Sequence, residues 1–297
     1  DGGADFRLIG GDDQTPLSYH VELFDPVTQM ALIWVRKPVI NPQSASETLH
    51  LYFGNPEAVP GGDAAATFDP QTVAAFHFDE TSGLPVDSSS YQTAVTSGEV
   101  FANPSSIVGH GATLPGTEPL VIADAGPLAL APAQGWTFST WMKVSEAPAE
   151  PAYVLDRRDG EAQLSLVLSG QTLSTRYAGA EMVSGTPITP GQWHHVGLTV
   201  GQSGMRLFLD GSEVARTEVA AQAMSGPVAV GGGLDGSGVI PLELDELRIA
   251  ATARSATWLS FAASIQGERN DALITYGAAE EGEGSHAEGG HGGGHFA

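Results

Sequence analysis

The chain has 297 residues, with 12 Lys+Arg against 35 Asp+Glu for a formal net charge of -23, and it has 38 Gly, 19 Pro and no cysteine. That charge repels phosphate backbones and anionic headgroups, which excludes nucleic acid and anionic membrane surfaces as partners. The lack of cysteine closes off disulfides, thiolate metal sites and cysteine nucleophiles. With 41% hydrophobic residues, the chain can bury one large core or two modest ones.

No window approaches the roughly 18 apolar residues of a membrane helix, so no membrane span is expected within this chain. The sequence starts at Asp1 with neither an initiator Met nor a leader pattern, and is read as a processed or partial product. Lys37 and Lys143 are its two lysines. An acid-rich, lysine-poor surface points to a periplasmic or extracellular location.

Gly, Pro, Asn, Asp and Ser punctuate the chain at short intervals, and the segments between them read as short strands. In chain order these are 19–24, 31–35, 47–53, 73–78, 111–114, 136–144, 152–157, 162–168, 172–177, 193–200, 205–209, 212–218, 228–231 and 242–249. The pattern predicts an all-β protein. In 193–200, alternation puts His194, Val196, Leu198 and Val200 on one face and Trp193, His195, Gly197 and Thr199 on the other. Asp210-Gly211 between two strand-like runs predicts a tight hairpin. One helix is expected over 255–266, capped by Ser255, facing the sheet with Trp258, Phe261, Ala262 and Ile265 and stopping at Gly267.

Residues 55–70, rich in Pro, Gly and Ala, lack periodicity. The organisation expected is a partial β domain over 1–60, a linker over 61–70, a larger β domain over 71–277 and a flexible tail or tether over 278–297. That tail holds seven Gly, four Glu and three His and almost nothing apolar.

Several constellations could carry chemistry. Glu243 and Asp245, in Glu243-Leu244-Asp245-Glu246-Leu247-Arg248, would share a strand face about 7 Å apart, in reach of glycosidase geometry. Sandwich glucanases need a further Glu in that pattern, and Leu247 and Arg248 stand there, so the two acids are read as structural. No Gly-x-Ser-x-Gly elbow is present. His194 and His195 point to opposite faces and cannot chelate one ion together, and are expected as one buried and one exposed. The tail residues His286, His291 and His295 with Glu280, Glu281, Glu283 and Glu288 could collect zinc or nickel, but Gly spacing denies them a rigid support, and they are read as a solvated spacer. Calcium suits the Asp-rich loops better, including Asp79-Glu80, Asp87-Ser88-Ser89-Ser90 and Asp235-Gly236-Ser237-Gly238. A structural calcium is expected between an early loop and the last strand, with Asp79 and Asp245 as ligands. The alternative is that these acids cap turns.

Five motifs occur in order. They are Val73-Ala74-Ala75-Phe76-His77-Phe78-Asp79-Glu80 with Asp87-Ser88-Ser89, Trp136-Thr137-Phe138-Ser139-Thr140-Trp141-Met142-Lys143, Gly191-Gln192-Trp193-His194-His195-Val196, Leu207-Phe208-Leu209-Asp210-Gly211, and Leu244-Asp245-Glu246-Leu247-Arg248-Ile249. Residues 71–250 thereby resemble the laminin-G-like, concanavalin A-like jelly-roll family. The resemblance implies two antiparallel sheets in a sandwich, used for binding glycans or proteins, often with calcium, and not for catalysis. Ala4-Asp5-Phe6-Arg7-Leu8, Leu17-Ser18-Tyr19-His20-Val21-Glu22, Ala31-Leu32-Ile33-Trp34-Val35 and Leu49-His50-Leu51-Tyr52-Phe53-Gly54-Asn55-Pro56 resemble the C-terminal part of a bacterial domain of unknown function that often precedes such sandwiches. Its usual opening strands are missing. The pair, ending in a Gly/His tail, is similar to the extracytoplasmic part of proteins that carry a MotA/TolQ/ExbB-type proton channel. This implies an envelope-facing head anchored through a segment outside this chain, a homo-oligomer, pentameric by analogy, and an ExbD/TolR-like partner.

The expected function is therefore a non-enzymatic recognition head of the bacterial cell envelope that binds a glycan or envelope protein. The alternatives are a secreted or surface lectin or adhesin, and third an atypical glycosidase. Tyr177 and Trp193 are the aromatics expected to stack on a sugar.

Overall fold

The computed structural model describes residues 2–41, 46–266 and 273–280. Its first strands are β1 (Arg7–Gly10), β2 (Tyr19–Asp25), β3 (Met30–Val35) and β4 (Leu49–Tyr52). After the short helix α1 (Ala64–Thr67) come β5 (Thr72–Phe76), β6 (Val95–Ser97), β7 (Phe101–Asn103), β8 (Gly111–Leu114) and β9 (Leu120–Ile122). The long strands follow: β10 (Trp136–Lys143), β11 (Ala152–Asp159), β12 (Ala162–Ser169), β13 (Thr172–Tyr177), β14 (Ala180–Val183) and β15 (His194–Gly201). The chain then runs through β16 (Gly204–Leu209), β17 (Ser212–Thr217), β18 (Val228–Val230), β19 (Leu242–Ala250) and α2 (Ala256–Gln266).

Two antiparallel sheets form a jelly-roll sandwich. The first runs β17-β16-β15-β10-β19-β8-β7, and the second runs β14-β13-β12-β11-β18-β9-β6. One edge of β19 is shared: β8 pairs with Leu242–Leu244 and β5 with Leu247–Ala250. Between them β19 carries a bulge, because Trp141 faces Asp245 while Ser139 faces Arg248, leaving one extra residue on β19. Glu246 takes up the irregularity at φ 50°.

The sandwich interior is filled from both sheets by Trp136, Phe138, Leu155, Leu164, Leu198 and Leu207, each 0% exposed. The alternation expected for 193–200 holds, with Val196, Leu198 and Val200 in the core. The Asp210-Gly211 hairpin is present, with φ of 50° and 77° at its two turn residues, the left-handed pair that a two-residue hairpin of this hand requires.

Residues 2–52 form two small sheets, β1 with β4 and β2 with β3, around a core of Phe6, Leu8, Leu17 and Tyr19. β2 also carries a bulge: Val21 faces Ile33 and Leu23 faces Leu32, so Glu22 is the extra residue. The 61–70 segment contains α1, which is capped by Asp63 accepting from the Ala66 amide at 3.0 Å.

Three expectations need correction. The helix is α2 with Ser255 Oγ accepting from Trp258 N, but its buried residues are Leu259, Ala262 and Gln266, while Phe261 is 42% exposed. The reason is the partner surface: Gly197 leaves a dent in the sheet that Leu259 fills, and Gln266 accepts from Trp141 Nε1 at 3.1 Å. His194 and His195 do lie on opposite faces, yet both are buried, because Asp210 binds His194 Nδ1 at 2.9 Å and Trp141 covers His195. Strands β1, β6, β7, β9 and β14, of at most four residues each, are too short to show alternation. Gly267 and residues 281–297, including the tail histidines, lie outside the described residues.

Candidate functional site

The outer face of the β10–β19 sheet is not open to solvent where the chemistry-bearing residues lie. α2 covers Trp141, His195 and Gly197, and the β2–β3 hairpin together with Phe68 covers the part around the bulge. Beneath that hairpin lies a buried polar cluster built from irregular backbone. Glu22 comes from the β2 bulge, Glu246 from the β19 bulge, and His77 from the residue after β5, where Phe78 turns the chain at φ 62°. In each case a break in the period-2 alternation aims a polar side chain where an apolar or solvent-facing one would otherwise stand.

The geometry is tight. His77 Nδ1 lies 2.6 Å from Glu246 Oε1 and 3.5 Å from Glu22 Oε2, with the side chains 3%, 1% and 1% exposed respectively. One donor atom from each of the three residues falls within 4.8 Å of the others. Each of the three is held by a further bond, for Glu22 at the same Oε2 that faces His77. Trp34 Nε1 donates to Glu22 Oε2, Arg248 NH2 donates to Glu246 Oε2 at 2.9 Å, and His20 Nε2 stands 3.0 Å from His77 Nε2. Aromatic faces enclose the group: the His77 ring lies 5.4 Å from Trp34 and 5.8 Å from Phe68, and the Arg248 guanidinium 4.4 Å from the Trp34 ring.

Burial drives the electrostatics. It pushes the Glu22 carboxyl up, with repulsion from Glu246 adding to the shift. Asp245 is raised for the same two reasons, burial first and Glu246 second. Glu246 is held below the ordinary carboxylate range, because His77 and Arg248 outweigh its own burial. Burial, reinforced by His77, lowers His20 to about 3, so it is neutral near pH 7. The three residues Glu22, His77 and Glu246 are the described side chains placed to hold a metal.

The residues expected from sequence fall elsewhere. Tyr177 is 3% exposed and packed in the sandwich core, and its hydroxyl donates to Gln222 O at 2.9 Å, so its ring presents no face to a sugar. Trp193 is half-buried, with Lys143 Nζ 5.0 Å from its ring centroid. Asp79 is exposed. Asp245 is fully buried, with Oδ2 accepting from the Ile107 and Val108 amides at 3.1 and 2.8 Å. Asp87 accepts from the amides of Ala75, Ser89 and Thr93, and Asp235 binds Ser237 and Arg158, so both acids organise turns. Glu243 is tied to Lys143 at 2.7 Å and to Asn103. The bulge separates it from Glu246, and the two acids do not face each other across an open cleft.

Sequence reading passed over Glu22, His77 and Glu246 as ligands, although all three stood inside the motifs that carried the family resemblance. The signal was their buried companions, Trp34 and Arg248, which alternation alone cannot bring together.

Comparison with known proteins bears on the fold. Residues 115–260 match the family model of the concanavalin A-like lectin/glucanases superfamily (Laminin_G_3). Residues 2–94 match that of a domain of unknown function (DUF2341), a match that runs past α1 and through β5 to the start of β6. No curated protein matches the chain. Among solved structures, the botulinum neurotoxin serotype G binding domain is similar at 11% identity and a TM-score of 0.54, over 66% of this chain and 51% of that one. The serotype D binding domain gives 14% and 0.55, over 68% and 53%. The serotype D ligand binding domain in complex with N-acetylneuraminic acid gives 12% and 0.54, over 68% and 52%. The chain thus spans about half the length of these domains. The likeness to these solved structures is one of fold, and the family models place a DUF2341 segment ahead of a concanavalin A-like sandwich.

Proposed function

We propose that this chain is a non-catalytic recognition module whose ligand is a glycan or a protein of the bacterial envelope. The observation that carries the reading is the roofed sheet. Glu246 lies under the β2–β3 hairpin and Asp245 under the turn at Ile107 and Val108, both buried, while Glu243, partly exposed, is paired with Lys143, so each acid is committed to a partner. A glycosidase needs two carboxyl groups flanking an accessible bond, and among the described residues this face offers no such pair. A sandwich that keeps its fold and covers the face is suited to binding through its loops or its second sheet. Trp193, partly exposed beside Lys143 at one end of the sandwich, is the stacking surface that remains of the two expected.

The test is a glycan array with the full chain, run beside a hydrolysis panel. Retention of a defined glycan set, weakened tenfold or more in Trp193→Ala and unchanged in Glu243→Gln, supports the reading. Hydrolysis that disappears in Glu243→Gln overturns it.

The finer placement rests on the sequence resemblance: a periplasmic or extracellular head tethered to an ExbB/TolQ-like proton-driven complex, pentameric with it, with an ExbD/TolR-like partner. Cross-linking in cells, followed by mass analysis, tests it. Capture of a pentamer with channel subunits supports the tether, and free monomer in the medium favours the secreted lectin. The calcium expected at Asp79 and Asp245 is likewise a proposal, supported by the unpartnered Asp245 Oδ1.

A further inference from the structure

We propose that Glu22, His77 and Glu246 form a binding site for a divalent cation of the zinc type, which clamps the N-terminal β unit onto the sandwich. Glu22 belongs to the N-terminal hairpin and the other two to the sandwich, so an ion held by all three binds the two units together.

Four observations support this. The donor atoms already converge: His77 Nδ1 stands 2.6 and 3.5 Å from a Glu246 and a Glu22 oxygen, all within 4.8 Å. Ligands about 2.0–2.2 Å from one zinc ion are themselves roughly 3–3.5 Å apart, so the shifts required are small.

The outer partners follow the pattern of built metal sites, where each ligand is oriented by a second hydrogen bond. Trp34 holds Glu22, Arg248 holds Glu246, and His20 stands against the far nitrogen of His77. With Nδ1 on the metal, the His77 proton sits on Nε2, 3.0 Å from His20 Nε2, which accepts it.

Glu22 is 1% exposed in its side chain, yet its Oε1 has no hydrogen-bond partner. The chain makes room beside that oxygen with Gly109 at φ 54°, where a Cβ would stand 2.6 Å from Oε1. A buried, unpartnered carboxylate oxygen is costly unless something positive meets it.

Charge points the same way. Two buried carboxylates, Glu22 and Glu246, converge on His77, and the guanidinium of Arg248 is bound to Glu246, so a divalent ion is the counter-charge that would meet Glu22. An imidazole among the ligands selects zinc or its neighbours over calcium, which prefers oxygen alone.

The experiment uses the full chain with His286, His291 and His295 replaced by Ala, stripped with chelator and titrated with Zn2+ alone. The expected result is one equivalent bound at micromolar affinity or better and a higher melting temperature. Glu22→Gln should abolish the binding, and Trp34→Phe, which keeps the packing and loses the indole donor, should weaken it about 10–100-fold. Zinc X-ray absorption should show one imidazole among oxygen ligands. Absence of stoichiometric uptake, equal uptake in Trp34→Phe and Glu22→Gln, calcium binding in place of zinc, or two or more imidazoles on the ion would each overturn the proposal. Should Glu22→Gln not fold, the Trp34→Phe titration and the absorption spectrum decide.

Discussion

Two carboxylates three residues apart on β19 should differ sharply in what they contribute to stability. Glu246 is 1% exposed in its side chain and accepts from His77 at 2.6 Å and Arg248 at 2.9 Å. Each charge-assisted bond is worth about 1.5–3 kcal/mol, and removing one partner of a buried pair costs about 3–5 kcal/mol. In Glu246→Gln, relief of repulsion on Glu22 and Asp245 offsets part of that cost, which leaves a loss of about 3 kcal/mol. At about 2–4 °C per kcal/mol for a domain of this size, the melting temperature should fall by roughly 6–12 °C. Glu243 also pairs with a cation, Lys143 at 2.7 Å, but both side chains are partly exposed, at 25% and 22%. Such a pair contributes about 0–1 kcal/mol. Calorimetry of both variants in chelator-containing buffer, with urea unfolding as a second measure, compares them directly. Glu243→Gln and Glu246→Gln unfolding within about 1 kcal/mol of each other would refute the reasoning, since burial would then not be what separates them.

Other outcomes follow from the sandwich. Arg157 is 0% exposed, lies 5.3 Å over Trp136, and leaves Nε and NH1 without partners, so Arg157→Met should be neutral or stabilising by urea unfolding, and a large loss would show that an unseen partner satisfies it. Burial first, then Arg248, lowers His195 to about 4 from 6.5. Between those values the unfolded chain binds the additional proton, so stability is complete above about pH 6.5 and falls by up to about 1.4 kcal/mol per unit as pH drops to 4. His195→Gln should flatten that slope in pH-resolved unfolding, and an unchanged slope would assign it to other groups. Gly204 sits at φ 109° with an added Cβ 1.9 Å from Thr217 O, so Gly204→Ala should destabilise the β16–β17 hairpin, seen as faster amide exchange in those strands.

The parts of the fold that follow a simple period were legible before any coordinates. The long strands from β10 to β19, their inward residues and the Asp210-Gly211 turn all obey local rules, so 136–144 and 205–209 could be read within a residue or two of their observed ends. The helix was legible in position and wrong in face, because which stripe is buried depended on the dent at Gly197, a feature of another strand. Tyr177 failed as a ligand candidate for a related reason. An aromatic at the end of a strand looks the same in sequence whether its ring fills the core or meets solvent.

Local propensity and alternation by themselves determined that this chain is all-β with a break in its periodicity over 55–70, since period and turn chemistry act on neighbouring residues and survive in one dimension, while the sandwich was implied by the resemblance that the ordered motifs carry. Tertiary structure alone decided the buried cluster. Glu22 and Glu246 are extra residues in two bulges, and a bulge shifts which face a side chain takes without leaving a mark in the alternation. Residues 22, 77 and 246 meet because β5 and β8 divide one edge of β19 and the N-terminal hairpin lies over the bulge there, a pairing of distant segments that no local pattern encodes.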